Sequence, residues 1–192
     1  MNNREFFNKV AFKWDEMCIH DDKKIKKIIE LSNIRENSKI LDVGTGTGVL
    51  IKYLIEKNPL KVVAVDIAEK MIEVAKSKYE DKRIQFIVSD IMDYKENKDF
   101  EYIFIYSAYP HFKDKNKLFR HLYDLISVGG KIIIAHSESK EKINEIHSKN
   151  ENVKDDKLPP VDVTAGIMSK YFKVEIAIDN DEMYYISGVK KK

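Results

Sequence analysis

Cysteine is almost absent from this chain: Cys18 stands alone among 192 residues. A single thiol cannot close an intramolecular disulfide, and it excludes a cysteine-rich zinc module. A reducing compartment fits. Long apolar runs are missing as well, none reaching the roughly 18 residues of a membrane-spanning helix. The start, Met1-Asn2-Asn3-Arg4-Glu5, does not lead into the apolar core of a secretion signal. A cytoplasmic protein is expected. Excess charge of one sign is also lacking, because formal net charge is only +2. Nucleic-acid binders concentrate Lys and Arg on one face, since each neutralised phosphate contributes through counterion release. Here Lys23-Lys24, Lys26-Lys27 and Lys190-Lys191-Lys192 read as solvated helix surface and a terminus. Nucleic acid is therefore disfavoured as a partner. Repeats and a second domain are not visible, and the length suits one domain over residues 1–192.

What is present begins with Lys39 to Leu50, KILDVGTGTGVL. A short apolar strand passes through Asp42 into Gly44, Gly46 and Gly48 and then into a helical pattern. Without a Cβ, these glycines let the backbone turn sharply and let a ligand lie against bare main chain. The dinucleotide fingerprint is G-x-G-x-x-G, with backbone NH groups holding a pyrophosphate. In this chain the third glycine comes one residue early. Asp42 just before the turn would repel a phosphate and accept hydrogen bonds from an ammonium group, which favours a cationic ligand. Asp66, about 20 positions on at the end of Val62 to Val65, stands where an acidic residue binds ribose hydroxyls in doubly wound nucleoside sites.

The segment resembles motif I of class I methyltransferases, which bind S-adenosylmethionine, and the likeness continues in order. Ser89-Asp90-Ile91 after the strand Ile84 to Val88 resembles the family's adenine-contacting turn. Tyr102 to Tyr106 runs into Ser107-Ala108-Tyr109-Pro110-His111, the place of the post-strand motif, and Val128-Gly129-Gly130-Lys131 precedes a fifth strand, Ile132 to Ala135. Phe6 to Asp15 resembles the N-terminal F-x-x-x-A-x-x-Y-D segment of the ubiquinone and menaquinone methyltransferase branch, with Trp14 in place of tyrosine. The resemblance implies a Rossmann-like α/β fold: a doubly wound, seven-stranded, mostly parallel sheet with an antiparallel last strand. It also implies residues 1–35 as a helical cover. Cofactor binding falls to Asp42, Gly44, Thr45, Gly46 and Gly48 at the amino-acid end, Asp66 and Ile67 at the ribose, Asp90 and Ile91 at the adenine, and Ser107. S-adenosylhomocysteine would be the product. Ser107-Ala108-Tyr109-Pro110 does not match the [N/D]-P-P-[Y/F/W] signature of base-amino methylation.

Alternating periodicities agree with this fold. Helices are predicted over Lys23 to Leu31, Thr47 to Glu56, Glu69 to Tyr79, Lys115 to Ile126, Lys140 to Ser148 and Val161 to Tyr171. Glu151 to Pro160 reads as a polar connection. Phe172 to Ile178 and Met183 to Val189, joined by Asp179-Asn180-Asp181-Glu182, carry a hairpin signal.

The acceptor side rests on the histidines. His111 follows strand four and His136 ends strand five, so both imidazoles are expected at one pocket beyond the carboxyl ends of neighbouring strands. His111 and Tyr109 are the catalytic candidates, His111 as a base near pH 7. Trp14, Cys18, His20 and His136 are expected on the substrate side. His121 and His147 lie on predicted helices and read as surface. A sharper reading joins Cys18, His20, His111 and His136 around a metal ion, although the ligands lack the short paired spacing of zinc motifs. The expected activity is methyl transfer to a small molecule. The alternatives are a macromolecular acceptor, RNA or protein, and a non-catalytic module that binds S-adenosylmethionine. Acceptor atom and oligomeric state are not encoded in these motifs.

Overall fold

Runs such as Val62-Val63-Ala64-Val65 and Ile132-Ile133-Ile134-Ala135 are apolar at every position, the mark of strands buried on both faces. A computed structural model, describing residues 2–95 and 99–191, pairs them into one sheet. Its strands are β1 (Lys39–Val43), β2 (Lys61–Asp66), β3 (Ile84–Val88), β4 (Phe100–Tyr106), β5 (Ile126–His136), β6 (Phe172–Asp179) and β7 (Tyr184–Lys190). Their order is β3-β2-β1-β4-β5-β7-β6. The pairs from β3 through β5 are parallel, and β7 runs antiparallel to both β5 and β6. This is the expected seven-stranded, doubly wound sheet with its reversed last strand.

Period-two alternation sends successive residues to opposite faces. Leu41, Val43, Val63, Val65, Ile103 and Ile105 pack on one side with Leu118, Phe119 and Leu122 of α6 (Lys115–Leu125) and Met168 of α8 (Val161–Met168). Ile40, Val62, Ala64 and Phe104 pack on the other, against Ile25, Ile28 and Ile29 of α3 (Asp22–Ser32) and Leu54 of α4 (Ile51–Ile55). α5 (Glu69–Lys78) follows β2, and α7 (Lys140–Ser148) follows β5. At the N-terminus α1 (Asn3–Val10) and the short α2 (Trp14–Met17) are joined by a 3-10 turn. Only these two form a cover. α3, expected within it, buries its apolar stripe on the sheet instead.

The departures from the predicted boundaries have local causes. The helix expected from Thr47 starts only at Ile51, because Gly48 at φ +84° takes the backbone out of the helical region. β5 is longer than expected. Phe100 pairs with Ile126 and Tyr102 with Lys131, so residues 127–130 bulge opposite Glu101 rather than forming a separate turn. α8 stops at Met168, and Tyr171 NH bonds back to Met168 O, a tightened turn that enters β6. No helix among the described residues is long and apolar enough to cross a membrane.

Candidate active site

Strand order reverses between β1 and β4, and ligands of open α/β sheets sit in the crevice beyond the carboxyl ends at such a point. A cavity of about 950 Å³ opens there. Its floor is the turn after β1. Gly44 NH and Thr45 NH both donate to Val65 O, at 2.8 and 3.0 Å, which ties the turn to β2. Gly44 sits at φ +68°, and a Cβ there would lie 2.6 Å from the Ala108 Cβ, so glycine is required. At Gly46, by contrast, no heavy atom of the described residues other than its chain neighbours lies within 4 Å of where a Cβ would project.

Asp66 ends β2 on the cavity wall. Its carboxylate accepts hydrogen bonds from Gly46 NH and Ala68 NH, both 2.8 Å, which locks the glycine turn to the strand. Carboxylate oxygens have about four acceptor sites, so capacity is left for a ligand. Burial pushes the Asp66 pKa up, opposed by the backbone NH groups and by His111. Ile67, Asp90, Ile91 and Ser107 share this wall with Thr45 and Thr47. Ser107 is held at φ +54°, and its NH donates to Ala135 O at 2.9 Å. Left-handed backbone at a residue other than glycine is strain of the kind that collects at functional sites.

Two expected cofactor residues stand behind the wall. Asp42 is 2% exposed and does not line the cavity; its carboxylate accepts the Thr45 hydroxyl at 2.6 Å from beneath the turn. Burial raises its pKa to about 7, with Asp66 adding to the rise. The reason is register: Asp42 points to the sheet face of Ile40, while the cavity is entered past Val43 and Gly44. Gly48 is packed under Tyr79 and Ile51 and also stays off the cavity.

The opposite wall belongs to the cover and to the segments after β4 and β5. An Asn2–Glu5 capping box starts α1 and Phe6 anchors it. Trp14, Cys18 and His20 reach the cavity. Burial pushes the Cys18 thiol up to about 11, so it is a neutral thiol at pH 7 rather than a nucleophile. His20 Nδ1 lies 2.9 Å from the Tyr106 hydroxyl. Tyr109 is turned away: fully buried beside Phe119, it does not line the cavity, because the 3-10 turn Tyr109–His111 points alternate side chains to core and crevice.

His111, His136 and His147 all line the cavity. His111 Nδ1 lies 2.8 Å from Asp156 Oδ2. His147 Nδ1 lies 2.5 Å from the Asp156 carbonyl oxygen, and the two rings stack with centroids 5.3 Å apart. Phe7 meets His111 edge-on. His136 is 1% exposed, and neither ring nitrogen has a partner among the described residues. Burial pushes its pKa down to about 3, helped by the other histidines, so it is a neutral imidazole whose missing hydrogen bonds a polar ligand group would supply. The metal reading is not matched: among the described residues no group of three or more His, Cys, Asp or Glu is placed to hold an ion. His20 and His111 are turned to Tyr106 and Asp156 instead.

Sequence reasoning missed His147 and Asp156. His147 shares one helical face with Ile143 and Ile146, which also line the cavity; that i, i+4 spacing was the available signal. Asp156 gave none, because it reaches His111 from a loop 45 residues away.

Residues 34–187 match the family model described as "Methyltransferase domain". The chain is 31% identical to malonyl-[acyl-carrier protein] O-methyltransferase 1 of Ilyobacter polytropus over 155 residues, 77% of this chain and 57% of that protein. It spans about half the length of several curated relatives that it matches. Among solved structures, phosphoethanolamine N-methyltransferase 2 of Haemonchus contortus in complex with S-adenosyl-L-methionine superposes with a TM-score of 0.81 at 18% identity, covering all of this chain and 60% of that one. A SAM-dependent methyltransferase of Aquifex aeolicus superposes with a TM-score of 0.72 at 16% identity, covering 98% of each chain.

Proposed function

The chain belongs to the methyltransferase domain family, and from that premise we propose that it is an S-adenosylmethionine-dependent enzyme that methylates a small-molecule acceptor. The observation that carries this reading is Asp66, which faces the cavity while its carboxylate grips the Gly46 turn. Related proteins named for the same chemistry include phosphoethanolamine N-methyltransferases, whose named acceptor is of modest size.

The residues present fit the cofactor. Gly46 leaves open space that a side chain would fill, and the cavity volume lies at the upper end of the usual range for ligand sites, about 300–1,000 Å³. Asp66 would accept the ribose hydroxyls, the Gly44–Thr47 turn would lie along the amino-acid end, and Asp90 and Ile91 would hold the base. When bound, S-adenosylmethionine supplies a methyl group already activated by its sulfonium charge. The protein then has to align the acceptor and exclude water, worth up to about 7–11 kcal/mol when orientation is ideal. Trp14, Phe7 and Phe6 provide the dry side, and His111, His20 and His136 the polar contacts to the acceptor. Asp42 contributes at one remove, by holding Thr45 in the turn.

Isothermal calorimetry with S-adenosylmethionine tests the reading directly. Asp66→Ala should weaken binding by about 1–3 kcal/mol through lost hydrogen bonds to the ribose, with S-adenosylhomocysteine affected alike. Unchanged affinity would remove Asp66 from the site.

A further inference from the structure

The segment between α7 and α8 reaches back over the cavity, and Asp156 on it holds two imidazoles at once. An ionised carboxylate only accepts hydrogen bonds, so the 2.8 Å contact fixes the proton of neutral His111 on Nδ1. The Asp156 carbonyl likewise only accepts, which fixes the proton of His147 on Nδ1. Each ring is thereby left with its Nε2 lone pair unused. Nε2 of His111 has no partner among the described residues, and the ring lines the cavity. Phe7 edge-on and His147 stacked at 5.3 Å set its plane from two sides.

We propose that Asp156 is a positioning residue that makes His111 a base aimed at the acceptor, and that the acceptor is a protic nucleophile, an amine, phenol or thiol, rather than a carboxylate or thioether. The proposal rests on the methyl-transfer reading above. The acceptor gives its proton to Nε2 of His111 and its lone pair to the methyl carbon. The carbon–sulfur electron pair returns to sulfur, and the imidazolium is balanced by the Asp156 carboxylate. A carboxylate or thioether has no proton to lose, and an oriented, charge-supported imidazole would be idle there. The same logic orders carboxylate, imidazole and nucleophile in hydrolytic triads. The charged groups around the dyad are Asp66, which interacts with His111 through space, and Lys115 near Asp156; the titratable rings beside it, His136 and His147, have their pKa values pushed down by burial.

Long-range proton–nitrogen correlation spectra of the uniformly labelled protein at pH 8 read the tautomer without any acceptor. His111, assigned by loss of its signals in His111→Gln, should carry its proton on Nδ1 in the wild type and in Asp156→Asn, which keeps an acceptor oxygen. In Asp156→Ala it should revert to the Nε2–H form preferred by free histidine, while the circular dichroism spectrum and S-adenosylmethionine affinity stay unchanged. Turnover is then read with ethanolamine, phenol and 2-mercaptoethanol as protic probes, and acetate and dimethyl sulfide as probes without a proton to lose. Methylation of a protic probe, with kcat cut at least tenfold in Asp156→Ala and its KM little changed, supports the proposal. An Nε2–H His111 in a wild-type protein that binds S-adenosylmethionine, or transfer to acetate or dimethyl sulfide in preference, overturns it. A wild type that does not bind S-adenosylmethionine overturns the methyl-transfer reading beneath it, and the tautomer spectrum then still reports the dyad geometry separately.

Discussion

Asp42 shows how a residue can matter to a site that it does not touch. Its carboxyl group is buried beneath the glycine turn, accepts the Thr45 hydroxyl, and has its pKa raised to about 7 by burial and by Asp66. In the unfolded chain an aspartate titrates near 3.9. The folded state therefore holds this proton more tightly, and the contribution to stability is complete below about pH 4 and lost as pH rises to about 7. Asp42→Asn cannot titrate. Urea denaturation should find the variant gaining stability relative to wild type between pH 5 and pH 8, and parallel profiles would show that the group stays ionised throughout. The sequence placed Asp42 correctly at the strand end but assigned it to the ligand. Strand register, which only pairing reveals, put its side chain on the far face.

At the scale of elements, much was written in local pattern. Continuous apolar runs marked β2 and the later parts of β4 and β5, and the C-terminal hairpin followed from turn residues between extended runs. These signals are local, and the fold uses them without contradiction. What escaped was long-range. The bulge at residues 127–130 exists because β4 and β5 meet out of step, and the Asp156 contact depends on where a loop comes to rest. A further contact of that kind joins α8 to β7: the Tyr184 hydroxyl donates to Thr164 Oγ1 at 2.7 Å, with both residues 0% exposed. Thr164→Val keeps the shape and removes the acceptor, leaving a buried hydroxyl unsatisfied. The expected cost is about 1–3 kcal/mol, which for a chain of this size lowers the melting temperature by several degrees. Adding Tyr184→Phe should restore part of the loss. A single variant as stable as wild type would mean that the hydroxyl has found another partner.

For the whole molecule, the sheet is deeply buried while the cover over the cavity is not. Residues 2–20 bury Phe6 and Ala11, and a small apolar cluster with Ala68 and Met71 anchors them to α5 and its approach. Phe7 meets His111 edge-on, and polar ties add to these contacts. Arg4 and Asn8 reach Glu69, Lys78 reaches Asp15, and Thr47 of the glycine turn donates to Asp15 Oδ1 at 2.5 Å. Exposed ion pairs of this kind contribute little each, and a segment with few buried contacts opens locally at low cost. On the proposed reading, the cover is the element that would open for cofactor and product while the sheet stays intact. Asp15 is its tie to the turn itself and to α5 together. Asp15→Ala should leave the melting temperature nearly unchanged, since the core is untouched, yet speed release of S-adenosylhomocysteine roughly fivefold, the equivalent of about 1 kcal/mol for a lost hydrogen bond. Stopped-flow displacement at low and high salt would measure it. Wild-type release should quicken with salt as the Lys78 and Arg4 pairs are screened, and the variant should respond less. Equal release rates in the two proteins would mean that the cover does not gate the site.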